Sequence, residues 1–143
     1  MIEYQKILNK NMLNVLKDIL INIRDNGLSS NNHLYITFLT NHKNVELPNW
    51  IKQKYPDEMT IVIQYEYNDL KVNKNNFSIF LSFQDIMVNL IIDYDSILSF
   101  ADPSANFGLI LQKNKIKKKV KQDLKINNSS KNNVINLSNY KKN

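Results

Sequence analysis

The chain has 143 residues, a formal charge of +6 and no cysteine. That length suits one domain, and the missing thiols exclude a disulfide framework, a thiol nucleophile and a thiolate metal site. The opening Met1-Ile-Glu-Tyr-Gln-Lys6 lacks a basic stretch followed by an apolar core, so it does not read as a secretory signal.

No apolar run approaches the roughly 20 residues of a membrane helix, and a soluble cytoplasmic protein is expected. The charge is unevenly placed. From Gln112 onward ten lysines stand against one aspartate, a balance of +9, which leaves −3 on residues 1–111. The composition favours Asn, Lys, Ile, Tyr and Phe, a bias that adds lysine without selecting for polyanions. The tail's charge is therefore a weak pointer to nucleic acid.

Residues 2–26 predict one amphipathic helix, with Leu8, Met12, Val15, Leu16, Ile19 and Ile23 recurring at spacings of three and four. Gly27 is placed as its left-handed C-cap and Leu28 as the accompanying apolar residue. Ile7, Leu13, Leu20 and Ile21 widen the stripe. A helix apolar over much of its girth needs two partners; a sheet supplies one, and a second copy of the chain or a larger internal core supplies the other.

Ser29–Asn32 is a polar turn, and His33–Thr40 a strand with Leu34, Ile36 and Phe38 on one face and Tyr35 and Thr37 on the other. Asn41–Asn44 turns, Val45–Leu47 suggests a short edge strand, and Trp50, Ile51 and Tyr55 suggest one helical turn packing as a lid before Pro56.

The stretch Met59–Phe83 reads as two strands joined by a polar, asparagine-rich connection. Ile61, Ile63, Tyr65 and Tyr67 share one face of the first strand, and Phe77, Ile79, Leu81 and Phe83 share one face of the second. The opposite faces mix Val62 and Phe80 with Gln64, Glu66, Ser78 and Ser82. Apolar surface carrying a few hydrogen-bonding groups is the composition of a shallow binding groove; a solvated face with one stray aromatic is the alternative. Val88–Ile92 is a further strand, Asp93 or Asp95 caps a short predicted helix through Phe100, and Phe107–Leu111 is the last apolar run. Beyond Gln112 the segment is too polar for a core and is expected to be disordered. One apolar island interrupts it, Val134, Ile135, Leu137 and Tyr140, followed by Lys141 and Lys142, as in a docking peptide.

Little here suggests catalysis. His33 and His42 have no recognisable partner, two glycines cannot build a phosphate loop, and Asp57/Glu58 and Asp93/Asp95 read as solvated turn or cap residues. No His, Asp and Glu set shows metal-ligand spacing along the sequence. An enzyme is not expected, nor a cofactor or metal.

Several stretches resemble the stringent starvation protein B (SspB) family in its alphaproteobacterial form: His33-Leu-Tyr-Ile-Thr-Phe38, Leu47-Pro-Asn-Trp50, Tyr55-Pro-Asp-Glu-Met-Thr-Ile-Val-Ile-Gln64, Phe77–Phe83 and Phe100-Ala-Asp-Pro-Ser104 through Phe107-Gly-Leu109. The likeness covers nearly all of residues 3–111, and Val134–Lys142 resembles the family's C-terminal ClpX-binding motif. It implies a mainly β α+β fold: an N-terminal dimer-forming helix (Leu8, Met12, Val15, Leu16, Ile19, Ile23) and a small Sm-like β-sandwich or barrel. The implied organisation is a peptide-binding and dimerisation domain over 1–111, a basic linker over 112–133 and a docking motif over 134–143.

The implied activity is that of an adaptor that binds the ssrA degradation tag and delivers tagged proteins to ClpX of the ClpXP protease. Val62, Gln64, Glu66, Ser78, Phe80 and Ser82 would contact the tag, Gln64 standing where the family has a tag-contacting glutamine. Val134, Ile135, Leu137, Tyr140, Lys141 and Lys142 would dock on ClpX. The family usually has Gly-Gly after the second of these strands, where Gln84-Asp85 stands here. A different class, a small β-barrel binding RNA through its basic tail, is the alternative.

Overall fold

The apolar periodicity of the first 26 residues produces helix α1 (Tyr4–Asn26) in the computed structural model, which describes residues 1–64 and 67–112. Met12, Leu16, Leu20 and Ile23 form its buried stripe. Gly27 ends it with φ 78° and ψ 177°, its N–H donating to the Ile23 carbonyl at 2.7 Å. That backbone region is essentially open to glycine alone.

Among the described residues seven strands follow: β1 (Leu34–Leu39), β2 (Glu58–Ile63), β3 (Asn68–Val72), β4 (Asn76–Phe83), β5 (Ile86–Asp93), β6 (Ile97–Asp102) and β7 (Phe107–Ile110). They form two antiparallel sheets, one in the order β2-β1-β6-β7 and the other β3-β4-β5. The N-terminal helix with a mainly β body is the predicted fold class. One core joins the helix stripe to the inward positions of both sheets, with Phe38, Phe77 and Phe100 among its largest enclosed side chains. Burying such side chains contributes about 1.5–3 kcal/mol each.

Polar ties close the corners of this core. Thr40, buried at the end of β1, donates its hydroxyl to the Tyr55 carbonyl, and its N–H donates to the Asp57 carbonyl at 3.0 Å. Tyr94 donates to the Asn73 carbonyl at 3.0 Å, while the Lys17 ammonium of α1 lies 4.7 Å from the Tyr94 ring centroid. Tyr67 donates its hydroxyl to the Ile23 carbonyl at 3.0 Å, tying the end of α1 to the start of the second sheet.

The structure departs from the sequence reading in six places. The first strand of the Met59–Phe83 stretch begins at Glu58 and ends at Ile63, so Gln64 lies past its end. The asparagine-rich connection contains strand β3, which pairs with β4 at Asn68↔Phe80, Lys71↔Ser78 and Val72↔Phe77. Asp93 does cap, accepting from the Asp95 N–H at 2.8 Å, but the helical segment is a single 3-10 turn, Tyr94–Ser96. Ile97–Asp102 is strand β6 rather than helix, because it completes the first sheet between β1 and β7. Helix α2 (Asn49–Lys54) buries only Ile51; Trp50 and Tyr55 stay exposed, so the predicted lid covers little. Val45–Leu47 forms an isolated bridge, Glu46↔Ile91, rather than a strand.

Candidate functional site

Side chains alternate across a strand, so each sheet presents one outward face. On the four-stranded sheet, Val62 of β2 lies opposite Tyr35 of β1, and Tyr35 lies opposite Ala101 of β6. Thr37 faces Thr60 and Ser99, and the two threonine hydroxyls are 2.7 Å apart. Tyr35, Thr37, Thr60, Ser99, Ala101 and Pro103 line a shallow cleft of about 370 Å³. Hydroxyls and short apolar groups there offer hydrogen bonds without fixed charge.

On the three-stranded sheet, the outward row of β4 is Ser78, Phe80 and Ser82, paired with Ile91, Asn89 and Met87 of β5. Met87 is 51% exposed, and its sulfur lies 4.0 Å from the Asn68 amide nitrogen. Phe80, Met87 and Ile91 thus form a small apolar surface bordered by Asn68, Asn89, Ser78 and Ser82.

The single mixed face expected from the sequence is therefore two faces. Val62 belongs to the first sheet and Ser78, Phe80 and Ser82 to the second, because β2 and β4 are not neighbours. Gln64 is exposed just after β2, where the chain leaves the first sheet, and Glu66 lies outside the described residues. Sequence reasoning left Met87, Asn89 and Ile91 unassigned, although Asn89 and Ile91 are alternates of the recognised strand Val88–Ile92; Met87 lies just before it, in a strand that begins at Ile86. The hairpin joining β4 to β5 keeps Phe83 opposite Ile86, with Gln84 at φ 52° and Asp85 at φ 65°. Positive φ at both central residues is the pattern of a type I′ turn. The geometry that Gly-Gly would serve is thus adopted without glycine.

The helix residues named as a dimer surface divide into two groups. Met12, Leu16 and Ile23 are buried in the chain's own core and Ile19 packs against it, whereas Leu8 is 52% and Val15 39% exposed. Tyr4 and Ile7 are exposed as well. Beside this flank, a cavity of about 630 Å³ opens between the C-terminal half of α1, Leu28, Leu34 and Phe107. Asp102 stands at its edge. Burial pushes its carboxyl up, but hydrogen bonds from Asn32, Ser104 and the His33 backbone together outweigh this and hold it below the ordinary 3.8. Asp102 is thus an organiser of the loop around Ser104.

Contrary to the sequence reading, the fold gives His42 partners in space. Ligand atoms of His42, Asp93 and Asp95 lie within 4.8 Å of one another. His42 Nδ1 accepts from the Asn44 N–H at 3.1 Å, and Asp93 accepts from the Asp95 N–H. These bonds shape the two turns. They also favour the tautomer protonated at Nε2, which is the wrong one for metal ligation through that atom.

The basic linker and the docking motif, Val134, Ile135, Leu137, Tyr140, Lys141 and Lys142, lie outside the described residues. Among the described residues no helix is long and apolar enough to cross a membrane. No curated protein matches the chain. The family model described as stringent starvation protein B matches residues 7–142, from the first turns of α1 to the lysines near the end. The chain belongs to the SspB family.

Proposed function

We propose that the protein is a non-enzymatic proteolysis adaptor that holds the ssrA tag in extended form and delivers the tagged chain to ClpX of ClpXP. The observation that carries this reading is the extent of the family match, which reaches residue 142 and so takes in the tail motif as well as the folded body. An extended peptide takes hydrogen bonds from strand and side-chain amides and seats its side chains on apolar positions. Gln64 supplies an amide able both to donate and to accept. Val62, on one sheet, and Phe80 with Ser78 and Ser82, on the other, supply the flanking surface, with Glu66 beside Gln64 in the sequence. Met87, Asn89 and Ile91 extend the surface around Phe80.

Delivery works by tethering. The linker of about 22 residues before the docking motif spans roughly 25 Å root-mean-square. Once Val134, Ile135, Leu137, Tyr140, Lys141 and Lys142 engage ClpX, tag transfer is effectively intramolecular at about millimolar concentration. A homodimer through the exposed flank of α1 doubles both contacts, Leu8 and Val15 forming its centre and Ile19 its edge. Met12, Leu16 and Ile23 support that helix from within. The adaptor works in the cytoplasm and needs no cofactor.

Fluorescence anisotropy with a labelled ssrA-type peptide tests this reading. Wild-type protein binds, and Gln64→Ala weakens binding roughly tenfold, as expected for one or two lost hydrogen bonds. Deleting 134–143 leaves peptide affinity intact and abolishes the acceleration of ClpXP degradation. Deleting 113–125 leaves tag affinity within about twofold; a steeply salt-dependent RNA affinity lost in that deletion would favour the RNA-binding alternative.

A further inference from the structure

The cavity of about 630 Å³ beside α1 has an apolar floor, Val15, Ile19, Leu28 and Phe107 among it, and an anionic rim. Val15 and Ile19 border the proposed dimer flank, and the groove continues from them to Leu28 and Phe107. Asp18 and Asp102 are the charged residues of its lining, and both are acids. Asp18 is exposed and makes no side-chain hydrogen bond or ion pair among the described residues. A volume of this size suits a short peptide, and the rim favours one with cations beside its apolar groups. The chain supplies such a segment in Val134, Ile135, Leu137 and Tyr140, followed by Lys141 and Lys142.

Reach favours the same occupant. The last described residue, Gln112, has its carbonyl held by the Asn9 amide at 2.7 Å. From Asn9 to the middle of the stretch of α1 that lines the groove is about 20 Å along the helix. The 113–133 linker spans roughly 25 Å, and effective concentration is highest where linker length and span match. A second copy of the body fits less well, since a two-fold contact over this groove sets acid against acid.

We propose that the chain's own C-terminal motif docks in this groove, Lys141 and Lys142 meeting Asp18 and Asp102, so that the motif stays sequestered until ClpX competes for it. The competition rests on the adaptor reading; the self-contact does not. At an effective concentration near 1 mM, a contact with a dissociation constant of about 0.2 mM leaves roughly one molecule in six open and weakens ClpX docking about sixfold.

The chain has no cysteine, so Ser138→Cys carries a single nitroxide in the full-length protein. The label broadens the amide resonances of Leu28, Ser29 and Ala105 more than those of Asn9 and Asn11 beside the root. Asp18→Lys weakens that broadening, and adding Lys141→Glu and Lys142→Glu restores it. Broadening that is centred on the root, spread evenly over the body or indifferent to Asp18→Lys overturns the self-contact. So does equal broadening when unlabelled isotope-enriched protein is mixed with spin-labelled protein, which assigns the groove to the tail of a second copy. In a ClpX titration, Asp18→Lys tightens docking by up to about sixfold, and an unchanged affinity overturns the sequestration. If wild-type protein and Asp18→Lys both fail to bind ClpX, the adaptor reading and the competition fall together, while the broadening decides the self-contact by itself.

Discussion

The hairpin at Gln84-Asp85 offers a quantitative test of the backbone. Both residues lie in the left-handed region, at φ 52° and 65°, and both are exposed. Neither side chain makes a side-chain hydrogen bond or ion pair among the described residues, so the turn holds them against their own preference. For an L-residue that conformation costs roughly 1–2 kcal/mol, with asparagine and aspartate at the low end. Gln84→Asn therefore relieves about 0.5–1 kcal/mol. Asp85→Gly relieves a similar amount, partly offset by the roughly 0.5–1 kcal/mol of extra chain freedom glycine has when unfolded. The double variant should gain about 1 kcal/mol, raising the thermal midpoint by about 4 °C. Gln84→Val, β-branched, should lose about 1–2 kcal/mol. Urea titrations of the four variants at equal m-value check this. If Gln84→Val matches wild type and the Asn-Gly variant gains nothing, the turn is not left-handed and the pairing of Phe83 with Ile86 needs another explanation.

Four further outcomes follow from single residues. Gly27→Ala should cost about 1–3 kcal/mol in chemical denaturation, because a Cβ meets nothing within 4 Å and only the positive φ resists it. For Asp102 the folded carboxyl lies below its ordinary value. Its contribution to stability is whole above about pH 4 and is lost as pH falls through the depressed folded value. Asp102→Asn should therefore flatten the acid limb of a stability–pH profile and leave the neutral-to-alkaline part parallel to wild type. Leu8→Asp should give a monomer in light scattering whose unfolding midpoint no longer rises with protein concentration, whereas Leu16→Ala should lose about 2–5 kcal/mol because that side chain is fully enclosed. A dimer that survives Leu8→Asp would place the interface elsewhere.

Periodicity alone located α1, β1 and β4, since each carries a long regular apolar set with one buried face. It missed β3 because Asn68 and Asp69 are poor strand formers and Leu70 is the segment's one buried residue. That strand exists by virtue of its partner. β6 was misread because a genuine cap at Asp93 precedes it, and a cap signal does not reveal that the helix ends after one turn. The mixed face was divided for a different reason. Alternation states which residues of one strand share a face, but strand order depends on contacts distant in sequence. So Val62 and Phe80, similar in sequence context, belong to different sheets. On α1 the enclosed stripe and the exposed flank share spacings of three and four, so Met12 and Leu8 could not be told apart before the sheets were placed against the helix.

The tether and the proposed dimer have a common root. Gln112 is the last described residue, and its carbonyl accepts from the Asn9 amide at 2.7 Å, while the preceding Leu111 N–H donates to the Leu98 carbonyl at 2.8 Å. The linker therefore starts against the N-terminal half of α1, one residue along the helix from Leu8. A dimer centred on Leu8 and Val15 brings the starts of both arms toward its interface. Effective concentration falls about as the three-halves power of the length that must be spanned, so nearby roots let the second docking motif follow the first with little loss. Placing the roots at opposite ends of the body would sacrifice much of that gain, even with an identical linker. In the proposed adaptor, the side of α1 left uncovered by its own sheets and the side chain that fixes where the arm begins thus serve one arrangement: two weak contacts combined by geometry rather than by added surface.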